Sequence, residues 1–146
     1  MAKLNNCEYT FNLRFNSKME EKNISKVLKY VFLVSGLAAF IFGITFILFL
    51  EWYSSLLNWP YQDPLFSRVL GAALIGFGIL QWLSYREKKW ENVKNLVIIM
   101  IVWHLLGAIV TLTGQFLFNL PLGNLLHIIV FIVFLIAYIY AFYLNR

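Results

Sequence analysis

Charge is what this chain has least of. Asp, Glu, Lys and Arg make up 13% of its 146 residues, against roughly 25% in soluble domains, and residues 95–145 contain none of them. A chain that is 61% hydrophobic has too little polar surface to clothe a water-soluble globule, so the composition is that of a membrane protein. Cysteine is nearly absent. The single Cys7 excludes an intramolecular disulfide, and two histidines with one distant cysteine make no zinc set. Motifs of reaction chemistry are missing as well. No Gly-rich phosphate loop, nucleophile elbow or His-Glu metalloprotease pattern occurs. No catalytic residue, metal site or cofactor is expected.

What the chain does have is four long apolar runs. A hydrocarbon core of roughly 30 Å takes about 20 apolar residues per helix. Four segments meet that length, at about 27–50, 65–85, 95–116 and 122–143. They predict an all-α, antiparallel four-helix transmembrane bundle, up-down-up-down with short connections. Residues 1–26 form an N-terminal cytoplasmic segment and residues 27–146 the membrane domain, with no room for a soluble catalytic domain. The first run starts too late and is too long for a signal-peptide core, and is read as a retained helix.

Orientation follows from the basic residues. Of 12 Lys and Arg, six precede or enter the first span, four (Arg86, Lys88, Lys89 and Lys94) lie between the second and third, and Arg146 ends the chain, leaving Arg68 alone for the other side. Basic residues in short loops are held on the cytoplasmic side during insertion. The expectation is a multi-pass protein of the cell membrane with both termini cytoplasmic. Its net charge of +5 then reflects topology and anionic headgroups rather than nucleic acid. The opposite loop is short and aromatic, with Trp52, Tyr53, Trp59 and Tyr61, residue types that settle at headgroup level. Tyr138, Tyr140 and Tyr143 are expected to form the matching inner belt.

Local signals refine this picture. Residues 7–15 alternate apolar and polar, the period of a half-buried strand that needs a neighbour; a tail lying among the headgroups reads equally well. Ser17 to Glu20 fits a capping box. The sequon at Asn23 is discounted because it falls on the inner side. Asp63-Pro64 reads as the N-cap and first residue of the second span, and Asn119 with Pro121 is expected to open the fourth in the same way. Helices in lipid associate where small residues let backbones approach. Ser35, Ala39 and Gly43 on the first span, Ala72 and Gly76 (with Gly71 and Gly78 nearby) on the second, and Gly107 and Ala108 on the third are the expected seams.

Ionisable and polar groups inside spans are costly and therefore candidate sites. His104, Gly107, Ala108, Thr111 and Gln115 share one face of the third span, and Asn124, His127, Phe131 and Tyr138 one face of the fourth. If both faces point inward, Glu51, Arg68, Thr111, Gln115, Asn124 and His127 line a polar pocket open to the outside, with His104 at its floor. Such a pocket suits a small polar ligand or a lipid headgroup. The competing reading is structural: Glu51 and Arg68 as an interfacial ion pair, and the histidines as hydrogen-bonding groups between helices. Haem is excluded by depth, since the two imidazoles differ by roughly 9 to 14 Å across a hairpin turning near residue 120.

The stretch DPLFSRVLGAA at 63–73, followed by WHLLGA at 103–108, resembles a pattern in small four-helix integral membrane proteins of prokaryotes, where Arg-x-x-Gly opens the second span and Leu-Gly-Ala sits in the third. The resemblance covers about the middle third of the chain. It implies the fold and no activity, because those proteins mostly lack an assigned one. The expected function is non-catalytic: a small membrane protein that binds membrane lipids or partner proteins, as a homodimer or within a larger membrane complex. A small-molecule binding or transport protein using the outward pocket is the alternative. An intramembrane lipid enzyme, with His104 or His127 as acid–base and Arg68 holding an anion, comes third.

Overall fold

The computed structural model describes residues 23–59 and 63–146. These form five helices: α1 (Lys26–Leu48), α2 (Leu50–Leu56), α3 (Pro64–Arg86), α4 (Trp90–Phe118) and α5 (Asn124–Asn145). Four of them, all but α2, are long and apolar enough to cross a membrane. The alternating stretch 7–15 and the capping box at Ser17 lie outside the described residues. Among those described there is no strand, only an isolated bridge between Asn23 and Lys89.

Side-chain caps open two of the five helices. The Ser25 hydroxyl accepts from the Leu28 amide at 3.2 Å and opens α1. Asp63 Oδ1 accepts from the amides of Leu65 (2.8 Å) and Phe66 (3.2 Å) and opens α3, with Pro64 in the first turn. The expectation for Asn119 and Pro121 is corrected. Asn119 adopts φ 47° and closes α4, a left-handed conformation asparagine tolerates better than most residues. The fourth span begins only at Asn124, whose amide donates to the Pro121 carbonyl at 2.9 Å. The first span also stops at Leu48 and restarts as α2, whereas the third runs longer than expected, starting at Trp90. Its extra turn carries Glu91 and Lys94, which form a 3.8 Å ion pair and mark a helix that leaves the apolar zone before it ends.

Backbone proximity fixes how α1 meets α3. A Cβ on Gly43 would lie 2.8 Å from the Gly71 carbonyl oxygen, and one on Gly78 would lie 3.2 Å from that of Gly36. Contacts therefore move down α3 as they move up α1, with glycines seven residues apart on each helix set opposite one another. The expected seam on α3 is corrected here. Ala72 and Gly76 face outward, and a Cβ on Gly76 would meet nothing within 4 Å. Gly71 and Gly78 make the approach because α1 lies on their side of the helix.

At one end, Ser25 and Asn145 are tied reciprocally: Asn145 Oδ1 accepts from the Ser25 amide and its Nδ2 donates to the Ser25 hydroxyl, both at 2.8 Å. The Ile24 amide reaches the Lys88 carbonyl at 2.9 Å. This is the basic end. Just beneath it Leu28, Phe32, Trp90, Val93, Val97, Met100, Tyr138 and Ala141 form the closed core. At the other, aromatic end, Tyr53 and Trp59 gather around His127. Between their charged ends the outward faces are largely apolar; Leu65 of α3 is 72% exposed and Phe116 of α4 80%. Lipid rather than water suits such a surface.

Candidate functional site

Four helices meet at one buried polar cluster. Gln81 of α3 presents Oε1 to the Ser35 hydroxyl of α1 and to the Tyr138 hydroxyl of α5, the latter at 3.0 Å. The two hydroxyls are 2.7 Å apart, and Ser35 also reaches the Val31 carbonyl at 2.6 Å. Gln81 Nε2 donates to Met100 Sδ of α4 at 3.6 Å. Tyr138 is fully buried here, which corrects its expected place in an interfacial belt; Tyr140 and Tyr143 are the exposed ones. A hydroxyl on an α1–α3–α5 seam finds partners that a headgroup position would not need to supply.

Above this cluster the bundle divides. α1 lies close along α3, and α4 along α5, with α1 and α5 also in contact. The consecutive helices α3 and α4 meet through side chains, Phe77 on Trp103 with ring centres 4.9 Å apart and Gln81 on Met100, and are not packed along their lengths. Beyond Phe77 they face each other across a cavity of about 650 Å³. Phe66, Leu70 and Leu74 of α3 and Leu106 and Val110 of α4 line its two sides, and Phe42 and Phe131 its back. Ser35, Gln81 and His104 bound it towards the basic end, while Trp59, Asp63, Thr111 and His127 bound it towards the aromatic end. Its charged lining among the described residues is a single carboxylate, Asp63.

The two histidines are held differently. His104 is buried on α4, packed on Phe131, Phe134 and Tyr138. Its Nδ1 donates to the Met100 carbonyl at 2.6 Å, one turn back on its own helix. That bond assigns the neutral ring its tautomer and leaves Nε2 with a lone pair. Nε2 has no partner among the described residues, and it is not among the polar atoms sealed away without one. His127 Nε2 instead pairs with the Tyr53 hydroxyl at 2.7 Å, and its Nδ1 is sealed without a partner. Tyr53 lies outside the spans on α2, and burial pushes its hydroxyl up to about 12.

The expected candidates are therefore spread over three places. His104, Thr111 and His127 line the cavity. Gln115 and Asn124 staple the α4–α5 turn: Asn124 Nδ2 donates to Gln115 Oε1 and to the Thr111 carbonyl, each at 3.0 Å, and Gln115 Nε2 donates to the Leu120 carbonyl at 2.8 Å. Glu51 and Arg68 share a separate shallow groove of about 250 Å³ between α2 and α3, where both are exposed and form no ion pair among the described residues. Sequence reasoning missed the Ser35–Gln81–Tyr138 cluster. The signal was a glutamine within an apolar span, a residue type that seeks partners on other helices. No group of three His, Cys, Asp or Glu able to hold a metal occurs among the described residues. Comparison with known protein families, with curated proteins and with solved structures found no match to this chain.

Proposed function

We propose that this chain is a non-catalytic membrane protein that receives the apolar body of a lipid in the cleft between α3 and α4. The observation that carries the reading is the cleft itself. At about 650 Å³ it falls within the roughly 300–1,000 Å³ of ordinary ligand sites, and its walls are almost entirely aliphatic and aromatic. From Gln81 to Ser67 along α3 it extends about 21 Å at roughly 1.5 Å per residue, more than half the roughly 30 Å hydrocarbon core. One acyl-like chain from a single leaflet suits that length. The opening lies between two lipid-facing helices, so access is from the bilayer.

The frame is an antiparallel four-span bundle, up-down-up-down, with the basic end and both termini cytoplasmic. Small prokaryotic four-helix membrane proteins with the Arg-x-x-Gly and Leu-Gly-Ala pattern offer the same layout. A carrier of small polar solutes finds less support, because Glu51 and Arg68 lie on their own groove while Asn124 Nδ2 and Gln115 are tied into the α4–α5 turn and Asn124 Oδ1 is sealed away there.

The test is direct. Protein purified in mild detergent should retain lipid that mass spectrometry of the extract identifies. Ala38→Trp, which projects an indole from α1 into the cavity wall, should abolish that retention without lowering the melting temperature. Equal lipid content in the variant, with the fold intact, would remove the cleft from consideration.

A further inference from the structure

We infer that the cleft selects a neutral lipid bearing a hydroxyl, and that His104 Nε2 is the acceptor that reads it. The inference rests on the lipid-binding reading above and adds the chemistry of the ligand. Three observations converge on it.

The first is the tautomer. With Nδ1–H committed to the Met100 carbonyl at 2.6 Å, the neutral imidazole offers only an acceptor at Nε2. The ring lines the cavity, and among the described residues Nε2 is the one ring nitrogen of the two histidines that is neither bonded nor sealed off. An acceptor in an apolar wall calls for a donor on whatever fills the space.

The second is the chemistry around it. The Ser35 and Tyr138 hydroxyls are occupied with Gln81 Oε1 and with each other, and Gln81 Nε2 donates to Met100 Sδ, so none of the three partners Nε2. The third is charge. No Lys or Arg lines the cavity among the described residues, so nothing there would hold a phosphate or carboxylate out of water. Asp63 is remote. Phe77, which touches Trp103 beside His104, is 14 residues along α3 from Asp63, about 21 Å away at roughly 1.5 Å per residue. A long alcohol, a prenol or a phenolic lipid meets all three conditions, and a phospholipid headgroup fails the third.

Native mass spectrometry of the whole protein with equimolar 1-hexadecanol and hexadecyl methyl ether tests this in one spectrum. The two ligands share a chain and differ in the donor. One neutral hydrogen bond contributes about 0.5–1.5 kcal/mol, so the bound alcohol should exceed the ether roughly two- to tenfold. The ratio should fall to near one in His104→Phe and be preserved in His104→Gln, whose amide oxygen can accept. Both ligands bound at a ratio near one in the wild-type protein would overturn the hydroxyl inference while leaving the cleft reading standing. Neither bound would overturn both. Hexadecanoate displacing the alcohol at pH 8 would overturn the requirement for a neutral ligand. The wild-type ratio needs no variant, so a misfolded substitution cannot obscure the result.

Discussion

Gly43→Ala is the most discriminating change the fold offers. The added methyl carbon would sit 2.7 Å from Ile75 Cγ1, 2.8 Å from the Gly71 carbonyl oxygen and 3.1 Å from the Ile75 amide nitrogen. Ordinary carbon contacts lie near 3.5–4.0 Å, so α1 and α3 must separate by roughly 1 Å at this point. Ile75 can turn its side chain, but the two backbone atoms cannot yield without moving the helix. Overpacking of this kind costs about 1–3 kcal/mol. In lipid the loss weighs heavily, because close packing rather than apolar burial draws helices together. The control is built into the facing helix. Gly76→Ala is the same substitution, and its methyl would meet nothing within 4 Å. Alanine there should be neutral or stabilise by about 0.5–1 kcal/mol through helix propensity. Thermal unfolding in a common detergent, followed by circular dichroism, compares the two. Gly43→Ala should melt clearly below the parent protein and Gly76→Ala at or above it. Equal melting temperatures would refute the glycine seam and with it the placement of α3 against α1.

Other outcomes follow from the same structure. Gln81→Leu leaves the Ser35 and Tyr138 hydroxyls without their shared acceptor and should lower stability by about 1–2 kcal/mol; adding Tyr138→Phe should cost less than it does in the parent, as a double-mutant cycle would reveal. Asp63→Ala removes the cap of α3 and should cost about 1 kcal/mol, read by faster amide exchange at Leu65 and Phe66. Tyr53, ordinarily near 10, stays protonated in the folded protein up to about 12. Its raised value favours the folded state below pH 10, and that contribution fades as pH rises from 10 towards 12; absorbance titration should show a late-ionising tyrosine near pH 12 that is missing in Tyr53→Phe. An impermeant maleimide should label Cys7 in broken but not intact cells; rapid labelling of intact cells would reverse the proposed orientation.

Several features of the fold were legible along the chain because they depend on near neighbours. The Asp63-Pro64 start of α3 needs only a carboxylate two and three residues from free amides. Apolar length marks a span whatever surrounds it. Asn119 misled because asparagine and proline serve a helix start and a helix stop almost equally well, and only the path of the turn separates the two uses. Small residues were equally ambiguous: Gly71, Ala72, Gly76 and Gly78 all lie within two turns, and position on the helix surface, not residue type, selects the pair that α1 touches. The polar candidates scattered for a related reason. Shared faces on α4 and α5 suggest one pocket, but Gln115 and Asn124 sit beside their own turn and bond each other there. Glu51 is carried outward by the break at Phe49, which no local pattern announced.

The amino-acid order by itself determined the solvent, the number of long apolar helices and the capping of α3, since each rests on composition or on contacts within one turn. Only the tertiary structure decided that Gln81, Ser35 and Tyr138 belong together, that α3 and α4 stand apart above them, and that His104 lines the space between. Those outcomes depend on which helix faces meet. An apolar helix in lipid is greasy all round, so its sequence carries little record of the side that a neighbour will choose.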